Sequence, residues 1–226
     1  RRQRQMCIRD SGTYYFDLIT GAMAKGDIVV DNLPCSFDTN TGIGCNLMWH
    51  SMDGKDYWYE AGKRQGYDPN NAAYRGKEIY DASSDAWYWL DANQGGAKAV
   101  NKDVYQESNG GKWVRYDANG HMVKGEDCQN GKWYYFEPVT GAMIKGPWTL
   151  PDGRKVYYDP KTGVMQYGSV AVNNQLYYFD PVYGKMTRGT PGNFWYTIDG
   201  KSYWYENWVR QGWQPSNANY LSLIHI

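Results

Sequence analysis

The phrase GKWYYFEPVTGAMIKG, from Gly131 to Gly146, recurs in varied form along the chain, and the spacing of its copies limits the fold more than any other feature. The glycines that close each copy's turn fall at Gly21, Gly42, Gly120, Gly141, Gly163 and Gly184, most of them 21 or 22 residues apart. A unit that short holds one supersecondary element, not a globular core. The run Trp133, Tyr134, Tyr135, Phe136 favours a pleated strand. An acid follows it, joined to proline at Glu137-Pro138, Asp159-Pro160 and Asp180-Pro181, as a turn requires. A short return strand then carries Met23, Met122, Met143, Met165 or Met186. Each unit reads as one β-hairpin, and a lone hairpin is marginal in water, so the units must stack. The expected fold is all-β: a repeat solenoid of stacked β-hairpins, about 21 residues per unit.

Alternation along a strand sends Trp133 and Tyr135 to one face and Tyr134 and Phe136 to the other. One face is expected to fill the stack and the other to line a groove between hairpins. With 22 Tyr and 11 Trp, rings rather than aliphatic side chains must carry the core, and the rings left outside have a polar edge suited to sugars or quaternary amines.

Both ends look foreign. RRQRQMCIRD and LSLIHI resemble the two readings of a transposase adapter used in sequencing libraries, so residues 1–10 and 221–226 are expected to be adapter-derived artefact and the rest an internal fragment of a longer protein. Without those ends, 20 basic and 23 acidic residues remain, which gives no electrostatic footprint for nucleic acid. No apolar run approaches a membrane span.

A larger period overlies the small one. Residues 53–74 align without gaps to 199–220, an offset of 146, with 14 of 22 positions identical; upstream, 26–38 lies over 168–180 at an offset of 142. The shared core reads DGKxYWYE, then RQG, a proline and Asn-Ala. The chain is therefore about one and a half copies of a block, and the sequence after Tyr220 is expected to resemble 75–125. The expected organisation is repeats over 11–52 and 109–190, a divergent segment of strands over 53–108, and the start of its second copy over 191–220. Whether 53–108 continues the solenoid is left open by the sequence.

The units GKWYYFEPVTGAMIKG, NQLYYFDPVYGKMTRG and GTYYFDLITGAMAKG resemble the cell-wall-binding repeats shared by choline-binding proteins, glucan-binding proteins and the receptor-binding repeats of large secreted bacterial toxins. The resemblance implies hairpins stacked at right angles on a secreted or surface protein. It also implies binding to teichoic acid, peptidoglycan-linked glycan or α-glucan. In choline-binding members the cage is similar to a Trp at the strand head, a Trp after the second glycine and an aromatic of the next hairpin, holding an ammonium by cation–π attraction. Here the strand-head position carries Trp113 and Trp133, and the Gly146-Pro147-Trp148 junction offers the second ring. The candidate groove is Trp133, Trp148 and Tyr157 or Tyr158, with Met143 as floor; Trp113, Tyr135 and Tyr178 complete the candidate aromatic set. One cage among several junctions would bind choline weakly, so a polysaccharide with repeated contacts is favoured over choline.

Enzymatic readings are weaker. Acids recur after the strand at Asp17, Asp38, Asp117, Glu137, Asp159 and Asp180; a catalytic pair is needed once, whereas turn chemistry is needed in every unit. No catalytic residue, cofactor or metal is expected: His50 and His121 lack ligand spacing, and His50 aligns with an aromatic position. Cys35 and Cys45 flank the Asn40-Thr41-Gly42 turn and are a candidate disulfide pair, which would leave Cys128 over. Two functions follow: a non-catalytic attachment module for cell-wall or surface polysaccharide, or a stretch of a larger extracellular hydrolase or glucan-processing enzyme.

Overall fold

The computed structural model describes residues 5–9, 12–17, 19–107, 110–173, 175–180, 193–198, 200–207 and 209–212. The turn and methionine expected at Gly184 and Met186 lie outside them. The described residues form strands joined by turns, with one three-residue 3-10 turn, Ala92–Gln94, as expected of an all-β chain. No helix among them is long and apolar enough to cross a membrane. The chain divides into two compact units, Arg1–Val123 and Lys124–Ile226.

In the first unit, β1 (Gln5–Arg9) pairs with β2 (Gly12–Phe16), and β3 (Gly26–Val30) with β4 (Leu33–Phe37). β1 falls in the segment read as adapter-derived; its pairing uses peptide groups, which any extended sequence supplies. β5 (Met48–Met52), β6 (Lys55–Glu60), β7 (Lys63–Arg64), β8 (Gly76–Asp81), β9 (Ala86–Asp91) and β10 (Ala97–Lys98) follow. The two-residue strands β7 and β10 splice the hairpins edge to edge, in the order β3-β4-β7-β6-β10-β9-β8 with β5 on β6. The divergent segment is thus built of hairpins like the rest, joined into one eight-stranded sheet. β11 (Lys102–Gln106) and β12 (Lys112–Tyr116) complete the unit as a separate hairpin.

The second unit has the hairpins β13 (Gly125–Gln129) with β14 (Lys132–Phe136) and β15 (Gly146–Thr149) with β16 (Lys155–Tyr158). A five-stranded sheet follows, made of β17 (Gly168–Val172), β18 (Gln175–Phe179), β19 (Asn193–Ile198), β20 (Lys201–Glu206) and β21 (Val209–Arg210), in the order β17-β18-β21-β20-β19. The 146-residue duplication is visible atom by atom. Trp58 and Trp204 each donate their indole N–H to the glutamate two residues on, Glu60 and Glu206. Arg64 and Arg210 lie over the rings of Tyr57 and Tyr203 at 3.8 and 3.6 Å.

Within a unit, one backbone hydrogen bond recurs between successive hairpins. The residue that bridges the end of the second strand donates its N–H to the carbonyl at the head of the preceding hairpin's second strand. Gly44 bonds Thr13 at 2.8 Å, Met122 bonds Trp87 at 2.9 Å and Met165 bonds Trp133 at 2.8 Å. The return strand expected at each methionine is this single bridging residue, as in Met143 against Phe136 and Met165 against Tyr158. Met143 also rests its sulfur on the next turn's glycine: a Cβ at Gly163 would lie 2.5 Å from Met143 Sδ, and Gly163 has φ +73°. That glycine is required twice, for its backbone and for its missing side chain.

The recurring acids whose turns lie within the described residues serve those turns, as their regularity implied; the turn after Asp180 lies outside them. Asp38 accepts the N–H groups of Asn40 and Thr41, Glu137 those of Val139 and Thr140, and Asp159 those of Lys161 and Thr162. The backbone N–H groups of Thr41, Thr140 and Thr162 are the main reason these three carboxylates are held below the ordinary range. A depressed folded-state pKa contributes stability that is whole above the unfolded value and lost as pH falls through the folded one. The thermal midpoint should therefore hold from neutrality to about pH 5 and fall below about pH 4. Replacing Asp38, Glu137 and Asp159 with Asn, Gln and Asn should flatten that acid slope; melts of equal slope would remove the turns as its source.

Cys35 and Cys45 are free thiols. The expected bridge fails because successive residues of β4 face opposite ways. Cys35 packs with Tyr15 and Phe37, while Cys45 sits opposite Ser36, its Sγ 3.4 Å from Ser36 Oγ, and packs towards Tyr57 and Tyr59.

Candidate functional site

Burial in these hairpins is graded along the strand more than it is sorted by face. On β14, Trp133 is 41% exposed, whereas Tyr135 and Phe136, which point to opposite faces, are 4% and 0% exposed. The same gradient runs along β12, from exposed Trp113 to buried Val114, Arg115 and Tyr116. The expectation that one face of each strand packs and the other lines a groove is corrected accordingly. At the base residues of both faces are buried: Tyr135 packs with Leu150, Val156 and Tyr158 of the next hairpin, and Phe136, bridged by Met143, is fully covered. Ring surface reaches solvent at the tips.

This gradient sorts the candidate residues. Trp113 and Trp133 are at tips and exposed. Tyr135 and Tyr158 belong to the buried cluster with Leu150, Val156 and Met165, and Trp148 leans half-buried against it, 6.1 Å from the Tyr135 ring. Tyr157 is 9% exposed and packs on Phe179 at 6.1 Å. Met143 is taken up by Gly163. Tyr178 lies on β18, its side chain outside the described residues. The structure therefore brings Trp148, Tyr135 and Tyr158 together, but chiefly as core. The indole N–H of Trp148 and the hydroxyl of Tyr158 are buried there without a hydrogen-bond partner among the described residues, two polar edges that a bound hydroxyl or water would satisfy.

Among the described residues, the exposed rings that escaped the sequence reading include Tyr80, Trp87 and Tyr105. Each belongs to a cross-strand pair near a tip, Tyr80 with Trp87 at 5.3 Å and Tyr105 with Trp113 at 5.4 Å. Pairing of 102–106 with 112–116 would have revealed Tyr105 as the partner of Trp113. In the second block Trp195 and Trp204 pair across β19 and β20 at 5.3 Å, as Trp49 and Trp58 do at 5.2 Å in the first.

Elsewhere the aromatic surfaces are already occupied by the protein's own cations. The Lys98 ammonium is 2.8 Å from Asp56 and lies 5.3 Å from the Trp49 ring and 5.9 Å from that of Tyr88. Arg64 stacks on Tyr57 and also donates to the Tyr59 hydroxyl. His50 and His121 act as rings, edge-on to Tyr59 and Tyr88.

Comparison with known proteins follows the same lines. Residues 106–148 and 145–190 match the family described as choline-binding repeat. Glucosyltransferase-S of Streptococcus mutans is 40% identical over 62 residues, which is 27% of this chain and 4% of that protein. The chain thus spans a small part of that curated relative. Among solved structures, choline-binding protein F of Streptococcus pneumoniae is similar with a TM-score of 0.47 at 17% identity, covering 92% of each chain. CbpJ of Streptococcus pneumoniae gives 0.46 at 18%, covering 92% of this chain and 94% of its own.

Proposed function

We propose, from the match of residues 106–148 and 145–190 to the choline-binding repeat family, that this chain is a non-catalytic module attaching a secreted bacterial protein to cell-wall or surface polysaccharide. The observation that carries the reading is the placement of Trp113 with Tyr105, and of Trp133, as exposed rings at the tips of otherwise buried hairpins. Rings of this kind stack on sugar faces, and their recurrence gives weak contacts the avidity of an array. Glycan, from teichoic acid, peptidoglycan-linked polymer or α-glucan, fits better than choline. The second ring of the choline-type groove, Trp148, is half-buried on Tyr135, and other aromatic surfaces hold Lys98 and Arg64. The turn acids are engaged by backbone N–H groups, which leaves them a structural role.

Retention on purified cell walls, α-glucan and choline resin tests the reading. The double variant Trp113→Ala, Trp133→Ala should lose about tenfold in retention on the glycan surface that holds the parent, with an unchanged melting midpoint. Equal retention of parent and variant would sink the tip rings as the binding surface.

A second reading is favoured by the 40% identity to a stretch of glucosyltransferase-S: the module is part of a larger extracellular glucan-processing enzyme whose active domain lies elsewhere. The parent open reading frame decides it.

A further inference from the structure

Beside the sheet of the first unit, at the tip of the β3–β4 hairpin, lies a cleft of about 430 Å³ between β4 and the loop that follows β7. Its volume is within the range of small-molecule sites. Half-buried Tyr67 and Tyr74 give it ring surface, and Asp68 and Asn70 give it a carboxylate and an amide at the exposed rim. The loop is held in shape by its own bonds. Asp68 accepts the N–H of Asn70 at 2.9 Å, Asn71 donates back to the Asp68 carbonyl, and Tyr74 donates to that of Asn71. Burial, with Asp68 and Glu60 nearby, raises the Tyr74 phenol above its ordinary value, so it stays a neutral hydrogen-bonding group.

Charge decides among ligands. Lys63 and Arg64 face the cleft, but so do Asp31 and Asp68. The Arg64 guanidinium is committed to the Tyr57 ring and the Tyr59 hydroxyl. The balance leaves no surplus cation for a phosphate, and an acidic polymer gains little here. Flat phenol rings beside a carboxylate and an amide match the faces and hydroxyls of a sugar ring.

The cleft's framework is also duplicated. Tyr15 and Phe37 at its base lie 6.2 Å apart at 37°, and their counterparts Tyr157 and Phe179 lie 6.1 Å apart at 31°. The bridge from Cys35 to Lys63 reappears from Tyr177 to Val209. In sequence, Arg64, Tyr67, Pro69 and Tyr74 correspond to Arg210, Trp213, Pro215 and Tyr220. Both loop aromatics are kept as aromatics while Asp68 becomes Gln214, still a hydrogen-bonding side chain.

We infer that this cleft is a second glycan site, separate from the tip rings, that takes one pyranose unit of a neutral glycan between Tyr67 and Tyr74 with hydroxyls on Asp68 and Asn70. The test titrates the full 226-residue chain with isomaltotriose, maltotriose, the N-acetylglucosamine trimer and phosphocholine, following the backbone amide resonances of residues 66–74. One of the three sugars should shift those resonances saturably, and Tyr67→Ala should weaken its binding about tenfold. Asn70→Ala, at an exposed rim position that leaves the fold untouched, should weaken it measurably too. Shifts from phosphocholine alone, no shift with any sugar, or sugar shifts unchanged in both variants would each overturn the inference. The Trp113→Ala, Trp133→Ala protein should keep the cleft response, so failure of the tip rings and failure of the cleft are read apart.

Discussion

Replacing Gly66 with alanine should destabilise the first unit by about 2–5 kcal/mol, the sum of a left-handed backbone cost and an overpacked core. Gly66 has φ +72°, and an added Cβ would sit 2.1 Å from Leu90 Cβ and 2.9 Å from the Leu90 carbonyl oxygen. Leu90 is fully buried and bounded by Trp58, Ile79 and Tyr88, so it has nowhere to retreat. Gly54 supplies the control. It has the same φ of +72° with nothing within 4 Å of its missing side chain, so Gly54→Ala carries the backbone cost alone. Chemical denaturation of the two variants separates the terms: a clear excess for Gly66→Ala is expected, and equal losses would mean that the packing against Leu90 is looser than described.

Lys98→Ala should cost about 1–2 kcal/mol, because the ammonium is shared by a carboxylate and two ring faces. The hydrogen bond from Lys98 is the largest influence lowering the Asp56 pKa, ahead of that from Ser51. In the variant the Asp56 carboxyl should therefore titrate closer to its ordinary value. Since the parent pair depends on ionised Asp56, its contribution is present above the unfolded pKa and lost as pH falls through the folded one; the gap between parent and variant should close in acid. The vacated space is lined by Trp49, Tyr88 and Asp56, a setting for a quaternary ammonium. Millimolar tetramethylammonium should raise the melting midpoint of Lys98→Ala and leave the parent unmoved. Equal effects on both proteins would mean that the rings form no cation cage.

What sequence could and could not show follows from the kind of interaction involved. Hairpins, turn acids and turn glycines are local, and WYYF followed by an acid and a glycine reports them directly. The block duplication was equally plain, since Trp58 with Glu60 and Trp204 with Glu206 repeat the same bond. Two features were hidden. The splicing strands β7 and β10 are two residues each, below any detectable period, and exist because longer strands offer them an edge. The gradient that buries Tyr135 and Tyr158 while exposing Trp133 depends on where the next hairpin crosses, and alternation along one strand is blind to that. Candidate rings therefore fall exposed at the tips and buried at the bases. Cys35 and Cys45 show the same limit from the other side: near in sequence across a turn, they were parted by the pleat.

The bond that joins successive hairpins runs from a peptide N–H to the carbonyl at the strand head, whose side chain is Thr13 in one copy, Trp87 in another and Trp133 in a third. Every residue owns a carbonyl, so the mortar is indifferent to the brick. Mutation can exchange the outward-facing group at that position, altering what a given copy recognises, while the masonry keeps its course; a lineage of such proteins can diversify its targets by point change and block duplication without having to rediscover how to fold.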